Sequence, residues 1–347
     1  MSNNDISTIR SFYDLSKHHK NSSEILSQLY EQIDDHALIE RAISGFKTED
    51  LFFDLFSVMP WIKLLHKLDE KPLPESSRDK YQIPDFLCLY ENYESVNLPL
   101  HVEVKTVNKN KIKLDNIMKI QFENSLNYCK SLNISLVYAI YWKKFHFWTI
   151  NTYDSFIEKK KKLEIPLLTS YGQDISLILG DLTYYISNNF YRISYYRRGD
   201  EGNIIDNKYG GLVKDKINHE DTEYDLTPYE SGIISSIVRL KEEKRNQVDN
   251  NTLEVFRKPI SPITMKLSTM IILFLSKQNI PINHQSCHNA LFTILELFKK
   301  LNIKQYFIVP NKRTSASDSI IEKSFNKHFF SKYIELNNTN QNKEVSV

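Results

Sequence analysis

Residues 98–107 read LPLHVEVKTV, and this stretch decides the fold class. Successive side chains of a β-strand point to opposite faces, so Val102 and Val104 would lie on one face and Glu103 and Lys105 on the other. Two opposite charges within an apolar strand are costly to bury unless they pair or hold an ion. The pattern therefore predicts a strand that carries both core packing and chemistry.

A second acidic residue precedes this strand. Residues 83–85 read IPD and open another apolar run. An adjacent strand starting near Asp85 would bring a second carboxylate beside Glu103. Two carboxylates suit Mg²⁺, which prefers oxygen ligands, with Mn²⁺ as an alternative. A neighbouring ammonium, that of Lys105, could orient a water molecule or stabilise charge at phosphorus. The competing interpretation is an ion pair between Glu103 and Lys105 on a solvent-exposed sheet face.

The sequence Pro84–Asp85 followed by Glu103–Val104–Lys105 resembles the motif of the PD-(D/E)xK nuclease superfamily, which includes restriction endonucleases and Holliday-junction resolvases. The resemblance covers roughly residues 48–150. It implies an α/β fold with a restriction-endonuclease-like mixed sheet flanked by helices. It also implies a Mg²⁺-dependent nuclease in which Asp85 and Glu103 bind the metal and Lys105 serves the attacking water or the transition state.

The same resemblance implies two further site residues. A helix before the first strand often supplies another acidic residue in these nucleases. By position this residue is Glu49, with Asp50 and Asp54 as alternatives. Some members also carry a glutamine in the helix after the motif, and Gln121 is the candidate here.

Basic residues near the motif are candidates for nucleic-acid contacts. Because the net charge of the chain is only +2, a polyanion site must come from local clustering. Lys109, Lys111 and Lys113 follow the motif and could contact phosphates, although a solvated loop explains them equally well. Arg197 and Arg198 end an aromatic run, 184–196, and are further candidates. Its tyrosines are interpreted as the core of a strand.

The order of predicted elements is helix, strand, strand, helix, strand, strand, which is typical of an α/β core. Helices are expected to end at Gly45, to begin again at Thr48, and to span about 114–132. We expect five segments: an N-terminal helical segment at 1–45, a nuclease-like domain at 46–199, a linker at 200–228, a mainly helical C-terminal domain at 229–336, and a disordered tail at 337–347.

Composition excludes several other classes. With 8 glycines and neither a GxGxxG nor a GxxxxGK[ST] pattern, a glycine-cradled nucleotide site is not expected. Three widely spaced cysteines argue against a disulfide framework and for a reducing compartment. The N-terminus lacks an apolar signal core and no apolar run could span a bilayer, so a cytoplasmic protein without membrane contact is expected.

The expected partner is DNA, and RNA is left open. By analogy, a restriction or phage-defence endonuclease would fit a chain of this size. A homodimer is one way to cut both strands with one site per chain. The alternatives are a catalytically inactive nuclease-fold subunit that binds nucleic acid or supports assembly, and a nuclease acting on RNA.

Overall fold

The computed structural model describes residues 3–68, 77, 79–108, 113–198, 204–219, 222–306 and 313–325. The chain divides into two compact units. The first comprises 1–180 together with 309–347, and the second comprises 181–308. The predicted tail, 337–347, lies outside the described residues.

The first unit contains most of the elements that matter for the candidate site. Its helices are α1 (Asn3–His18), α2 (Ser22–Gln32), α3 (His36–Phe56), α4 (Lys119–Ser131), α5 (Leu167–Gly172) and α9 (Ser315–Ser324). Its strands are β1 (Ile62–Lys67), β2 (Phe86–Glu91), β3 (Asn97–Val107), β4 (Lys113–Met118), β5 (Ser135–Trp142), β6 (Phe147–Thr152), β7 (Ile157–Lys159) and β8 (Lys162–Pro166).

A five-stranded mixed sheet forms the centre of this unit, in the order β1-β2-β3-β5-β6. Strands β3 and β5 run parallel, and the other neighbours run antiparallel. Aromatic residues of α3 pack on the sheet: Phe52 lies 5.4 Å from both Phe86 and Trp148, measured between ring centroids. From α4, Phe122 stacks on Tyr138 of β5. The predicted α/β fold, with helices on a mixed sheet, is confirmed.

Several element boundaries differ from the sequence prediction. Helix α3 runs unbroken through Gly45, because the packing of its apolar face outweighs the intrinsic cost of one glycine. The helix expected at about 114–132 is a strand followed by a helix. Leu114 and Ile117 both pair with β8, and the register of the pairing shifts between them. This irregularity explains how two apolar residues at a helix-like spacing of three lie in one strand. Strand β1 was not predicted.

The second unit has its own sheets. Its helices are α6 (Pro228–Ile237), α7 (Leu267–Lys277) and α8 (His284–Lys300). Its strands are β9 (Thr183–Ile186), β10 (Phe190–Arg197), β11 (Ile204–Asp206), β12 (Gly210–His219), β13 (Thr222–Asp225), β14 (Leu240–Gln247), β15 (Thr252–Pro259), β16 (Ile263–Lys266) and β17 (Gln305–Tyr306).

The segment expected to be a linker, 200–228, is different in the structure: its described parts hold β11, β12 and β13. These strands join β10, β15 and β14 in a six-stranded antiparallel sheet. The polar composition of 200–228 suggested an exposed loop. An antiparallel sheet accommodates the same polar residues, because one of its faces is exposed.

The C-terminal region contains the expected helices, α6 to α8, but β14 and β15 also lie within it. The boundary expected at 199 lies instead at 180, because β9 pairs with β16 and β17 and so belongs to the second unit. Beyond the second unit, 313–325 returns to the first, where the Ser324 hydroxyl lies 2.9 Å from that of Tyr90.

The cysteines and the helices bear on the expectations about disulfides and membrane spans. All three cysteines are buried and none forms a disulfide. Within the described residues, no helix combines the length and apolar character needed to cross a bilayer.

Candidate active site

The carboxylate of Asp85 lies at the point where β2 begins. Phe86 is the first residue of β2 and pairs with Val102, so Asp85 and Glu103 are the next two residues along that antiparallel register. The Oδ2 atom of Asp85 accepts a hydrogen bond of 2.6 Å from the main-chain nitrogen of Val104. On its other side, the carbonyl oxygen of Asp85 accepts from the nitrogen of Leu68 at 2.9 Å. Asp85 is thus fixed beside the Glu-Val-Lys motif.

Glu103 and Lys105 form an ion pair along β3. The Lys105 ammonium donates to Oε1 of Glu103 at 2.7 Å. The Glu103 side chain is only 6% exposed, whereas Lys105 is 27% exposed. The second carboxylate oxygen of Glu103, Oε2, is buried and has no hydrogen-bond partner among the described residues. This pair is therefore not a solvent-exposed ion pair, and one buried oxygen is available to a ligand.

Burial and neighbouring charges act strongly on Asp85. Burial first, then the carboxylates of Glu103 and Glu49, raise the pKa of Asp85 well above its ordinary value. The Lys105 charge and the Val104 amide oppose this shift but do not cancel it. Three carboxylates within electrostatic range, with incomplete compensation, form a site that a cation would stabilise.

The pKa of Lys105 is also raised, which for a lysine favours the charged form. Burial alone would lower the pKa of Lys105, but the charges of Glu103, Asp85 and Glu49 together raise it above its ordinary value. As an ammonium ion, the side chain can donate hydrogen bonds and supply positive charge.

No protein-family model and no curated protein matches this chain. A Holliday junction resolvase from the archaeal hyperthermophile Archaeoglobus fulgidus is similar in structure, with 15% identity and a TM-score of 0.30. The match covers 40% of this chain and 96% of the resolvase.

Glu49 lies near the other acidic residues but already has two cationic partners. Its Oε2 atom accepts from Arg10 Nη1 at 2.9 Å and from Lys67 Nζ at 2.6 Å. Arg10 belongs to α1 and Lys67 to the end of β1. Asp50, one of the two alternatives to Glu49, has other partners: it accepts a hydrogen bond from the Tyr13 hydroxyl at 2.7 Å and pairs with Lys17. The charge of Glu49 acts on both Asp85 and Lys105.

The structure describes four of the six predicted nucleic-acid contacts. Lys109 and Lys111 lie outside the described residues. Lys113 begins β4 and pairs with Glu164 at 3.2 Å. Gln121 is exposed on α4. In the second unit, Arg197 and Arg198 are exposed at the end of β10.

Three residues at or near the site were not predicted from the sequence. Arg10 and Lys67 contact Glu49, as described above. Tyr138 of β5 pairs with Glu103 in the parallel register, and its buried hydroxyl has no hydrogen-bond partner among the described residues. Nothing in the sequence around Arg10 indicated this contact. Tyr138 could have been inferred once the alignment of β3 and β5 was known.

The donor set can be compared with the needs of a metal ion. The described residues contain no group of three or more His, Cys, Asp or Glu side chains arranged to hold one. Mg²⁺ does not require such a group, because it commonly keeps several waters and takes one or two carboxylates plus substrate phosphate oxygens. Asp85 and Glu103, with the free Oε2 of Glu103, fit this smaller requirement.

Proposed function

We propose that this chain is a Mg²⁺-dependent nuclease that hydrolyses phosphodiester bonds in DNA. The observation that carries the proposal is the arrangement of Asp85, Glu103 and Lys105. The Asp85 carboxylate accepts a hydrogen bond from the backbone between the other two residues. Glu103 keeps a buried oxygen that has no partner among the described residues, and the Lys105 ammonium lies beside it.

Asp85 and Glu103 would hold the ion. When bound, Mg²⁺ would supply Lewis-acid activation of the phosphate and of a water molecule. An isolated buried carboxylate oxygen without a partner is energetically costly. The free Oε2 of Glu103 is therefore better explained by a ligand site than by a purely structural ion pair.

Lys105 would act as a hydrogen-bond donor and a positive charge. Its ammonium already bonds Glu103, so it lies next to the proposed ion site. From there it can orient the attacking water or stabilise negative charge that develops on the phosphate oxygens.

Cleavage of plasmid and linear DNA tests this proposal. Wild-type protein should cut in Mg²⁺ and not in EDTA. Asp85→Asn and Lys105→Met should each lower the rate by at least about 100-fold, the scale seen when one transition-state donor is removed. Two exposed residues of α4 provide matched controls, Glu123→Gln and Lys130→Ala, which should cut like wild type. If both site variants cut normally while folded, the site is misassigned.

Metal binding provides a readout that is independent of activity. Calorimetric titration with Mg²⁺ or Mn²⁺ should detect a site in wild type that Asp85→Asn and Glu103→Gln weaken. A wild-type protein that binds the metal and nucleic acid but never cuts would favour the alternative of an inactive binding or assembly subunit.

Substrate class and biological role need separate measurements. Parallel digestion of DNA and RNA of the same sequence decides between the proposed substrate and an RNA-directed nuclease. A restriction or phage-defence role predicts that phage plate less efficiently on cells expressing the wild type than on cells expressing Asp85→Asn. A homodimer would appear in analytical ultracentrifugation.

A further inference from the structure

The large sheet of the second unit has two chemically different faces. Residues of β10 alternate between them, with Arg192 and Ser194 on the inner face and Tyr191 and Tyr195 on the other. We define the outer face by six residues that the strand register places together: Tyr191, Tyr195, Lys214, Lys244, Phe256 and Lys258.

The inner face is closed by a buried polar network. Arg192 and Asp215 are both buried and form a bidentate ion pair, with Nη2 to Oδ2 at 2.7 Å and Nε to Oδ1 at 3.1 Å. The Ser194 hydroxyl donates to Asp215 at 2.8 Å. Arg192 also donates to Ser235 of α6. The inner face is therefore packed and internally satisfied, so new binding would have to use the outer face.

Aromatic rings and lysines alternate on the outer face. Tyr191 is 41% exposed, and the Lys258 ammonium lies 5.5 Å from its ring centroid. On the neighbouring strand pair, the Lys244 ammonium lies 5.6 Å from the ring centroid of Phe256. Ring surfaces flanked by ammonium groups offer both stacking area and positive charge.

The charges of this face are partly unbalanced. The described contacts of Lys244 and Lys258 on this face are with aromatic rings, those of Phe256 and Tyr191. Lys214 pairs with Asp225 at 3.4 Å, but both side chains are well exposed. Such a surface pair contributes little energy and can exchange for a phosphate. Glu254 interrupts the positive row and accepts hydrogen bonds from Tyr195 and Asn246.

We propose that the outer face binds single-stranded DNA. Unpaired bases would stack on Tyr191 and Phe256, and Lys244 and Lys258 would contact the flanking phosphates. Unpaired strands suit this face because the flat sides of the bases are stacked on one another inside a duplex and cannot reach the rings. The choice of DNA over RNA rests on the proposed function; the binding face itself does not.

Fluorescence anisotropy of the full-length protein in EDTA, with a labelled oligothymidine, tests this surface. Tyr191→Ala should weaken binding by about tenfold, as expected for the loss of one stacked base. Tyr171→Ala removes another exposed tyrosine, one in the first unit, and should leave the affinity unchanged. Circular dichroism and thermal unfolding confirm that each variant is folded.

The salt dependence of binding tests the lysines independently. The double variant Lys244→Gln/Lys258→Gln should reduce the slope of log affinity against log salt by about 1.4, since each phosphate contact with a single strand contributes about 0.7. Lys299→Gln replaces an exposed lysine of α8 in the same unit and should leave the slope unchanged.

Some outcomes would overturn the inference. Wild-type affinity in Tyr191→Ala together with an unchanged salt slope in the lysine variant would exclude this face. Equal affinity for duplex DNA would exclude base stacking, and tighter binding of oligouridine would exclude the choice of DNA. Binding is measured in EDTA, where the proposed nuclease does not cut, so the two assays report on different sites. A failure of the binding face therefore leaves the cleavage result intact, and a failure of cleavage leaves the binding result intact.

Discussion

The Oδ2 atom of Asp85 accepts a hydrogen bond from the main-chain nitrogen of Val104, the residue between Glu103 and Lys105. The Asp85 side chain, which precedes β2, thus takes the place of the main-chain carbonyl that would bond Val104 if β2 and β3 paired over a longer stretch. This contact places one carboxylate of the proposed site by the same hydrogen-bond pattern that forms the sheet. Placement of Asp85 consequently depends on strand register more than on loop conformation.

Asp85→Asn should stabilise the metal-free protein at neutral pH. The pKa of Asp85 is raised in the folded state. The favourable contribution of its carboxyl to folding is therefore complete below the unfolded-state pKa of about 3.9 and is lost as pH rises through the folded-state pKa. Asparagine keeps an acceptor for Val104 but cannot ionise. Each 1 kcal/mol gained would raise Tm by roughly 2–4 °C.

Thermal unfolding in EDTA across pH checks this expectation. The difference between Asp85→Asn and wild type should shrink below about pH 4, where the wild-type carboxyl is protonated in both states. Asp34→Asn, on the exposed segment before α3, serves as a control and should follow wild type at every pH. An unchanged or lower Tm for Asp85→Asn at pH 7 would contradict the proposed electrostatic strain.

Lys105→Ala should destabilise the protein, and Mg²⁺ should restore part of the loss. Removing the ammonium leaves Glu103 without its charged partner, at a cost of about 1.5–3 kcal/mol. A bound divalent cation would replace the missing charge. We therefore expect a larger rise of Tm with Mg²⁺ in Lys105→Ala than in wild type, measured by calorimetry. The same rise in both proteins would argue against an ion next to Glu103.

Arg10 and Glu49 should be energetically coupled. Their contact of 2.9 Å joins α1 to α3, and the Arg10 guanidinium also lies 4.5 Å from the ring centroid of Phe46. A double-mutant cycle with Arg10→Gln and Glu49→Gln, measured by urea unfolding, should give a coupling energy of about 0.5–3 kcal/mol. Additive effects of the two substitutions would show that the pair contributes no net stability.

Asp215→Ala should destabilise the second unit far more than the loss of an exposed acid. It removes the partner of the buried Arg192 and two of its hydrogen bonds, with an expected cost of about 3–5 kcal/mol in urea unfolding. Asp225→Ala breaks the exposed pair with Lys214 and should cost less than about 1 kcal/mol. Similar costs for both substitutions would contradict the buried network.

Much of the central sheet could be predicted from the sequence because β3 carries a strict alternation. Val102 and Val104 on one side and the Glu103–Lys105 pair on the other predict the strand and its two faces, whereas its register relative to Asp85 follows from the pairing of β2 with β3. Strand β1 was missed because its sequence, IKLLHK, alternates poorly, and it becomes a strand only by pairing with β2.

Other parts depended on contacts between residues far apart in the sequence. The polar strands within 204–225 read as a linker because one sheet face is exposed and carries lysines and asparagines. The contact between Arg10 and Glu49 spans 39 positions and leaves no local pattern. The same limit applies to Tyr138, whose position beside Glu103 follows from parallel pairing of β3 with β5.

The return of 313–325 to the first unit has a consequence for how the chain is made. Tyr90 meets Ser324 only after 234 further residues have been synthesised, and Phe325 then packs on Trp61. At about 5–20 residues per second, this corresponds to a delay of roughly 10–50 s on the ribosome. During that interval every strand of the second unit emerges before the first can bury its last helix. The strands of the central sheet are therefore made first, but the helix that completes the first unit can pack only after the second unit has been synthesised.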